Sequence, residues 1–383
     1  MSINPSRIAS VEDARKFAAR SVPRALFDYV DGGADDEITM TENITAFRRI
    51  GLIPRMGVRI TEPNLSIELF GRTLTLPVIL APCGLVNVMH PDGPKGVAQA
   101  AASRGVASVL SAVAGISPEA MANAVDTSST PMWFQLYSPK GRSDWEGLVD
   151  RVATSGYTAL VVTLDTPVLG NRERDGRNGI LVGSQVGIRS AATLALQVAG
   201  RPTWAARMAT ATLAARRSPR PSGPTVGLVA AGGSPFTWKD IREIRDRWTG
   251  PLLVKGVLSV ADARSAIDSG CNGVIVSNHG GRQLDGAPAT MSVLPEIAEA
   301  VGSATTVLID GGVRRGSDVV KALAAGANAV LIGRPYLYGL EAAGAAGVAR
   351  ILDIFRRDIE RTLVLLGCPT VANLDRQWID LKN

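Results

Sequence analysis

Residues 305–335 read TTVLIDGGVRRGSDVVKALAAGANAVLIGRP, with two apolar runs at 305–312 and 329–335 on either side of a helix-like segment at 316–325. The centre of each run is apolar throughout and does not alternate with polar residues. That pattern is typical of parallel strands that are buried on both faces. The stretch therefore predicts a strand–helix–strand unit.

Six further runs of this kind precede that unit, and helix-like segments such as 93–104, 145–154 and 259–269 lie between them. The runs are 76–82 (LPVILAP), 107–112 (ASVLSA), 132–137 (MWFQLY), 159–165 (ALVVTLD), 252–257 (LLVKGV) and 273–279 (GVIVSNH). Eight strand–helix units predict an α/β protein built as a (β/α)8 TIM barrel. A doubly wound sheet is the alternative, but eight units favour closure of the sheet.

Two segments lie outside the repeating pattern. Residues 1–75 are predicted to form an N-terminal cap with a helical stretch at 11–30, and residues 173–237 form a long insertion after the fourth strand. The insertion is predicted to contain a basic amphipathic helix at 188–217, followed by a Pro/Ser/Gly-rich tail at 218–234. We expect one domain over residues 1–383, with the barrel at 76–172 and 238–370. A loop as long as the insertion is usually functional or disordered.

The net charge of +6 is local, because residues 176–239 contain eight Lys or Arg and no Asp or Glu. A basic stretch without a recognisable nucleic-acid module argues against nucleic-acid binding and favours an anionic membrane surface or a lid over an anionic substrate. The three cysteines form no C-x-x-C pair, so we expect neither disulfides nor a metal site. The absence of a signal peptide and of a spanning apolar run predicts a cytoplasmic protein.

Polar and glycine residues stand at or just after the ends of the predicted strands. In a barrel the carboxyl ends of all strands meet on one face, where catalysis takes place. We therefore expect these residues to surround one site: Gln135, Tyr137, Thr163, Asp165, Lys255, Ser277, His279, Asp310, Gly333 and Arg334.

The segment SNHGGRQ at 277–283 contains His279, one of only two histidines in the chain, and Arg282. A histidine suits removal of a hydroxyl proton near neutral pH, and a guanidinium binds a carboxylate through two parallel hydrogen bonds. Together they predict oxidation of a 2-hydroxy acid, with His279 as base and Arg282 as carboxylate ligand. The alternative is a strand-end histidine bonded only to the backbone.

Glycine-rich turns follow the last two predicted strands, at 310–316 (DGGVRRG) and 333–335 (GRP). In barrels of this kind such turns and the helix starts after them form the usual phosphate site, and Arg314 and Arg334 would add positive charge. A phosphorylated ligand is expected, of which FMN is one of several. Plain strand–helix turns are the alternative.

Six ordered motifs give the chain a specific resemblance. They are LFDYVDGGADDE at 26–37, FQLY at 134–137, LDTPVLGNRERD at 164–175, LVKGV at 253–257, SNHGGRQLDGAPAT at 277–290 and IDGGVRRG at 309–316. From about residue 17 to 370, insertion excluded, the chain resembles the FMN-dependent 2-hydroxy acid oxidases and dehydrogenases, which include glycolate oxidase, L-lactate dehydrogenase and mandelate dehydrogenase.

The resemblance implies a role for each site residue. His279 would be the base, and Asp165 would stabilise its imidazolium and raise its pKa. The substrate carboxylate would be bound by Arg282, Arg172 and Tyr29, and the substrate oxygen by Tyr137. Lys255 would lie beside flavin N1 and O2, where negative charge accumulates on reduction. The isoalloxazine would be surrounded by Pro82, Cys83, Gly84, Ser111, Gln135, Thr163 and Ser277, the ribityl chain by Asp310, and the phosphate by Gly312, Arg314, Gly333 and Arg334, with Gly311 and Val313 beside them.

Three residues depart from the commonest family pattern. Cys83 stands where the family usually has Thr or Ser, and Gly84 stands where oxygen-using oxidases commonly have Ala, which favours a dehydrogenase. Val113 stands where glycolate oxidase has tryptophan, so we expect a substrate larger than glycolate.

These observations predict an FMN-dependent L-2-hydroxy acid dehydrogenase, most like L-lactate or mandelate dehydrogenase, that passes electrons to a quinone or another acceptor. The alternatives are an oxygen-using oxidase or monooxygenase, a family member acting on a larger α-hydroxy or α-amino carbonyl compound, a non-redox phosphate-ligand barrel, and a non-catalytic flavin-binding or membrane-scaffold protein.

In the mandelate-dehydrogenase branch the segment that corresponds to the insertion attaches the enzyme to the membrane. Residues 188–217 are thus a candidate for peripheral contact with the inner face of the cell membrane, and a lid over the site is the alternative. The resemblance also suggests a homotetramer.

Overall fold

The computed structural model of the protein describes residues 3–125, 131–137, 142–179, 188–217 and 235–381. Eight parallel strands close into a barrel in the order β10-β11-β4-β5-β6-β7-β8-β9. The predicted (β/α)8 barrel is confirmed, and each of the eight apolar runs contains one strand. The strands are β4 Val78–Leu80, β5 Ser108–Ser111, β6 Met132–Leu136, β7 Ala159–Thr163, β8 Leu252–Val257, β9 Gly273–Val276, β10 Thr306–Ile309 and β11 Ala329–Ile332.

Successive residues of each barrel strand face different parts of the core. One set fills the interior: Ile79, Val109, Trp133, Val161, Leu253, Ile275, Leu308 and Leu331. Their neighbours pack between the strands and the surrounding helices: Leu80, Leu110, Phe134, Val162, Val254, Val276, Ile309 and Ile332. Alternate residues of each strand face the barrel interior and the surrounding helices. Because both sides are buried, both sets must be apolar, and the sequence therefore shows uninterrupted apolar runs.

Helices alternate with the barrel strands. They are α5 Gly93–Ala102, α6 Pro118–Ala122, α7 Arg142–Thr154, α11 Trp238–Arg247, α12 Val260–Asp268, α13 Thr290–Val301, α14 Gly316–Ala324 and α15 Arg334–Leu366, with the short α4 Val86–Met89 after β4. Two antiparallel pairs lie outside the barrel: β1 Gly51–Leu52 with β12 Ile379–Asp380, and β2 Ile67–Leu69 with β3 Arg72–Leu74. Leu69 and Leu74 of the second pair pack with the interior residues of the barrel.

The N-terminal cap contains the helices α1 Val11–Ser21, α2 Arg24–Asp31 and α3 Ile38–Arg49. The prediction of one helical stretch over 11–30 was wrong at Val22, which adopts an extended conformation with φ −111° and ψ 162°. Pro23 explains the break, because its ring disfavours a helical conformation for the preceding residue and it has no amide hydrogen to donate.

The insertion contains α8 Glu173–Arg177, α9 Ile188–Ala199 and α10 Pro202–Arg217, while the predicted tail at 218–234 lies outside the described residues. The expected single helix over 188–217 is two helices, interrupted at Gly200 and Arg201 immediately before Pro202. Both helices contact the rest of the protein, since Gln197 Oε1 accepts from the Ala25 amide at 2.8 Å and the Trp204 indole donates to the Met89 carbonyl at 3.1 Å. Within the part of the chain that the structure describes, no helix is long and apolar enough to cross a membrane.

Candidate active site

A cavity of about 1140 Å³, including its open mouth, lies at the carboxyl ends of the barrel strands. The structure brings sixteen of the predicted site residues to its wall: Tyr29, Pro82, Cys83, Gly84, Tyr137, Arg172, Lys255, His279, Arg282, Asp310, Gly311, Gly312, Val313, Arg314, Gly333 and Arg334.

His279 follows β9 and adopts a left-handed conformation with φ 58°. This conformation is uncommon for a residue with a side chain, and it aims the ring at the cavity only because the surrounding contacts hold it. The Ser277 hydroxyl accepts from the His279 amide at 3.1 Å, and His279 Nδ1 lies 2.9 Å from Asp165 Oδ1. If Asp165 accepts a hydrogen bond from Nδ1, a neutral ring has its unprotonated nitrogen at Nε2.

Burial and charge act in opposite directions on this pair. Burial lowers the pKa of His279 below 6.5, and the nearby Lys255 lowers it further, although Asp165 raises it. Asp165 acts in the expected direction, because it raises the His279 pKa, but desolvation of the imidazolium outweighs the carboxylate. Burial raises the pKa of Asp165, but the positive charges of His279 and Lys255 lower it more. At neutral pH the pair is thus an uncharged ring held by a carboxylate.

Two guanidinium groups line the cavity near His279. Arg282 Nη1 donates to the carbonyls of Tyr29 at 2.6 Å and Gly32 at 3.0 Å, and its guanidinium lies 4.9 Å from the centre of the Tyr29 ring. Arg172 makes only long contacts, each at 3.4 Å, to the Arg282 carbonyl and to Gln283 Oε1. Among the described residues, no carboxylate lies within 4.0 Å of either guanidinium. The two groups are therefore free to bind an anion.

Arg172 and the nearby phenol of Tyr137 both keep their protons at neutral pH. Burial lowers the pKa of Arg172 to about 10, which leaves it charged. Burial raises the pKa of Tyr137, so its phenol remains a hydrogen-bond donor.

Lys255 lies on β8 and is almost fully buried, with 4% of its surface exposed. Its ammonium donates to the Ser277 hydroxyl at 2.8 Å and lies 3.3 Å from Asp310 Oδ2 and 4.0 Å from Asp165 Oδ2. Burial lowers the pKa of Lys255, but the two carboxylates raise it above its ordinary value. Lys255 is therefore a fixed positive charge at the base of the cavity.

Four predicted cofactor residues, Ser111, Gln135, Thr163 and Ser277, are buried at the strand ends and do not line the cavity. Ser111 donates to Gln135 Oε1 at 2.7 Å, and Gln135 Nε2 donates to Thr163 Oγ1 at 2.9 Å. Ser277 instead contacts Lys255 and the His279 amide. These hydrogen bonds link the carboxyl ends of neighbouring barrel strands beneath the cavity.

The cavity is also lined by Gly311 and Gly312, which have φ of 87° and 85°, by Val313 and Arg314 in the turn before α14, and by the start of α15. A Cβ atom at Gly312 would lie 2.1 Å from the Asn43 carbonyl oxygen of α3, so no larger residue fits there. Arg334 donates to the carbonyls of Val30, Gly280 and Gly32 at 2.8 to 3.0 Å. Amides at helix starts with an arginine beside them are suited to a phosphate.

These features fit a phosphorylated flavin. Asp310 has a buried oxygen, Oδ1, without a hydrogen-bond partner, as expected if a hydroxyl-bearing ligand passes it. The cavity has an anion site at the helix starts and the ammonium of Lys255 at its base. Pro82, Cys83 and Gly84 form one wall between them.

Some residues of the cavity were not predicted as site residues, namely Val30, Thr166, Leu169 and Leu337. Thr166 and Leu169 belong to the LDTPVLGNRERD motif, whose loop lies beside His279, so the motif itself was the available signal. Gln283 was also missed: its Nε2 donates to the Asp165 and Val168 carbonyls at 2.9 and 2.7 Å and so fixes this loop.

Comparison with known proteins gives concordant matches. The family model described as FMN-dependent dehydrogenase matches residues 18–381. An L-lactate dehydrogenase of Caulobacter sp. (strain K31) is 41% identical over 378 residues, which cover 96% of this chain and 97% of that protein. A peroxisomal (S)-2-hydroxyacid oxidase of Arabidopsis thaliana is 36% identical and covers 98% of each chain. The solved structure of the monotopic membrane protein (S)-mandelate dehydrogenase superposes with a TM-score of 0.88 at 36% identity, over 97% of this chain and 99% of that chain.

Proposed function

The chain belongs to the family of FMN-dependent dehydrogenases, and we propose that within it the protein is an L-2-hydroxy acid dehydrogenase for substrates larger than glycolate. It is an enzyme of FMN-dependent 2-hydroxy acid oxidation. The product is the corresponding 2-oxo acid, and a quinone or another acceptor takes up the electrons.

One observation carries the proposal: a neutral histidine held by an ionised carboxylate lies beside two guanidinium groups that have no carboxylate within 4.0 Å among the described residues. A 2-hydroxy acid supplies the complementary groups, a carboxylate for Arg172 and Arg282 and a hydroxyl proton for His279. A non-redox phosphate barrel has no need for a carboxylate site and a base side by side.

Each residue then has a defined task. Arg172, Arg282 and the phenol of Tyr29 bind the carboxylate, and Tyr137 donates to the substrate oxygen. The hydroxyl proton passes to Nε2 of His279, and Asp165 stabilises the imidazolium that forms. When bound, FMN would supply the acceptor for the hydrogen on the substrate's α-carbon together with the two electrons of that C–H bond. The ammonium of Lys255 would stabilise the negative charge that develops on the flavin as it accepts electrons.

Two residues support a dehydrogenase with a roomy pocket. A Cβ atom at Gly84 would lie 3.0 Å from the Tyr29 hydroxyl and 3.2 Å from Val113 Cγ2. An alanine, which oxygen-using oxidases commonly have at this position, would therefore be tight against Tyr29 and Val113, while Val113 lines the cavity with a smaller side chain than the tryptophan of glycolate oxidase. The relative of Caulobacter sp. (strain K31) is named as a dehydrogenase, which agrees with this choice.

An anaerobic screen tests the proposal directly. The purified holoenzyme is mixed with L-lactate, L-mandelate and longer L-2-hydroxy acids, and flavin absorbance is followed. We expect bleaching by at least one of them, and His279→Ala should retain the flavin colour but not bleach. A holoenzyme that no 2-hydroxy acid bleaches would refute the proposed activity, and rapid peroxide release in air would show an oxidase instead.

We also propose that residues 188–217 attach the protein peripherally to the inner face of the cell membrane. Leu196 and Leu213 are 75% and 58% exposed on α9 and α10, and Arg201 and Arg207 lie between them in a stretch without acidic residues. Exposed apolar side chains next to basic ones suit an anionic bilayer surface. Flotation with anionic liposomes should fail when Leu196 and Leu213 are both replaced by serine, and undiminished flotation would favour a lid.

We further propose that residues 1–383 act as one domain, in which the cap at 1–75 and the insertion at 173–237 complete the barrel, and that this unit forms a homotetramer. Light scattering on the holoenzyme should give four times the chain mass of 40.1 kDa. A monomeric mass would contradict the assembly but not the activity.

A further inference from the structure

Helix α8 begins directly after Arg172 and is bound to the N-terminal cap by a row of polar contacts outside the cavity. The side-chain amide of Asn171 donates to Asp35 Oδ1 at 2.9 Å, and the side-chain amide of Asn178 donates to Asp28 Oδ2 at 2.8 Å. Between them Arg174 reaches two carboxylates of the cap. The loop that carries Arg172 is therefore fastened to the cap on both sides of that residue.

Arg174 makes the central contacts of this row. Its Nη1 donates to Asp31 Oδ2 at 3.0 Å, and its Nη2 contacts Glu37 Oε2. Asp31 is 6% exposed and is also bound by Arg15, at 2.6 and 2.9 Å, and by the Tyr338 hydroxyl at 2.8 Å. Because Asp31 has these other partners, its position does not depend on Arg174, and it is a fixed anchor for the arginine.

The cap segment between Asp31 and Glu37, the two carboxylates that Arg174 contacts, also holds Arg282 in the cavity. Glu37 Oε1 accepts from the Gly33 amide at 2.9 Å, and a Cβ atom at Gly32 would lie 3.1 Å from Arg174 Cδ. The Gly32 carbonyl in turn accepts from Arg282 Nη1 at 3.0 Å. Arg174 thus packs against the backbone segment from Tyr29 to Gly32, whose carbonyls orient Arg282.

Arg172 itself has no short hydrogen bond, since both of its contacts are at 3.4 Å. Long contacts of this kind define the direction of a guanidinium poorly. Its position in the cavity follows from where its backbone lies, and that backbone is held by Asn171 and Arg174.

We propose that Arg174 is a positioning residue for the carboxylate site: it holds Arg172 and the Tyr29–Gly32 backbone at the separation that lets Arg172 and Arg282 bind one carboxylate together. The proposal rests on the proposed function, in which those two arginines bind the substrate. A purely structural ion pair would instead stabilise the fold without a selective effect on anion binding.

The test uses the FMN-loaded protein and oxalate, a dicarboxylate without an oxidisable C–H bond. Oxalate affinity is measured by calorimetry in Arg174→Met, beside the KM and maximal rate of flavin reduction with the best hydroxy acid of the screen. We expect oxalate to bind about tenfold more weakly, which corresponds to about 1.4 kcal/mol. The KM should rise by a similar factor while the maximal rate changes less, and Arg174→Lys should recover part of the affinity.

Arg177→Met is the matched control, because Arg177 lies on the same helix and pairs with Glu173 at the surface. It should bind oxalate like the wild type. Wild-type affinity in Arg174→Met, or an equal loss in Arg177→Met, would overturn the proposal. If Arg174→Met does not fold, Glu37→Gln removes one anchor and leaves Asp31 with Arg15 and Tyr338, and unchanged oxalate affinity in that variant would overturn it too. A wild-type holoenzyme that no hydroxy acid reduces would refute the proposed function separately.

Discussion

Replacement of Asp165 by asparagine tests the central pair of the site. The substitution keeps the shape of the side chain but removes the charge 2.9 Å from His279 Nδ1. A hydrogen bond to a charged group contributes about 1.5 to 3 kcal/mol. Without the carboxylate charge, the imidazolium that forms during the reaction loses this stabilisation, so flavin reduction should slow about 10- to 150-fold. Because Asp165 raises the pKa of His279, its loss should also lower that pKa further and move the acid limb of the pH profile to lower pH.

The measurement is stopped-flow reduction of the flavin under anaerobic conditions, as a function of pH and substrate concentration. Asp92→Asn is a matched control, because Asp92 lies beside His90, the other histidine of the chain, at 3.6 Å and away from the cavity. It should leave the rate unchanged. A wild-type rate in Asp165→Asn, or an acid limb that moves to higher pH, would refute the reasoning.

Three further predictions follow from the same contacts. The pKa of His279 is lowered below 6.5, so the unfolded chain binds a proton there that the folded protein does not, and this costs stability as the pH falls through that value. In urea titrations His279→Gln should therefore gain stability relative to the wild type as the pH is lowered, and a constant difference would argue against the burial effect. Gly312→Ala requires a side chain at φ 85° and 2.1 Å from the Asn43 carbonyl, so it should lower the free energy of unfolding by about 2 kcal/mol or more; an unchanged melting temperature would contradict the geometry. Lys255→Met leaves Asp165 and Asp310 without their shared cation, so both the melting temperature and the flavin midpoint potential should fall, and a potential that rises would exclude the assigned role of this ammonium.

The barrel could be predicted from the sequence because its signal is local and repeated. Each strand must be apolar on two faces, so every run from 76–82 to 329–335 carries the pattern by itself. Helix boundaries were less predictable where a proline follows a good helical sequence. A single proline ends the helical conformation in each case, at Pro23 and at Pro202, inside a stretch that was predicted as one helix.

Several properties of the site required the folded chain. The sequence indicated that Asp165 raises the pKa of His279, but the net decrease depends on how completely the barrel removes water from the ring. The contact of Arg174 with Asp31 and Glu37 joins residues more than 130 positions apart, and although all three lie in the quoted motifs at 26–37 and 164–175, neither motif shows that they are in contact.

The sequence by itself determined the barrel, the family and the set of chemically active residues, because strand burial and short motifs are properties of neighbouring positions. The tertiary structure alone decided which charges are paired. It leaves Arg172 and Arg282 without a carboxylate among the described residues, holds His279 neutral beside an ionised Asp165, and fastens the loop of Arg172 to the cap. Such pairing depends on distance and on the exclusion of water, and both arise only when segments far apart in the chain come together.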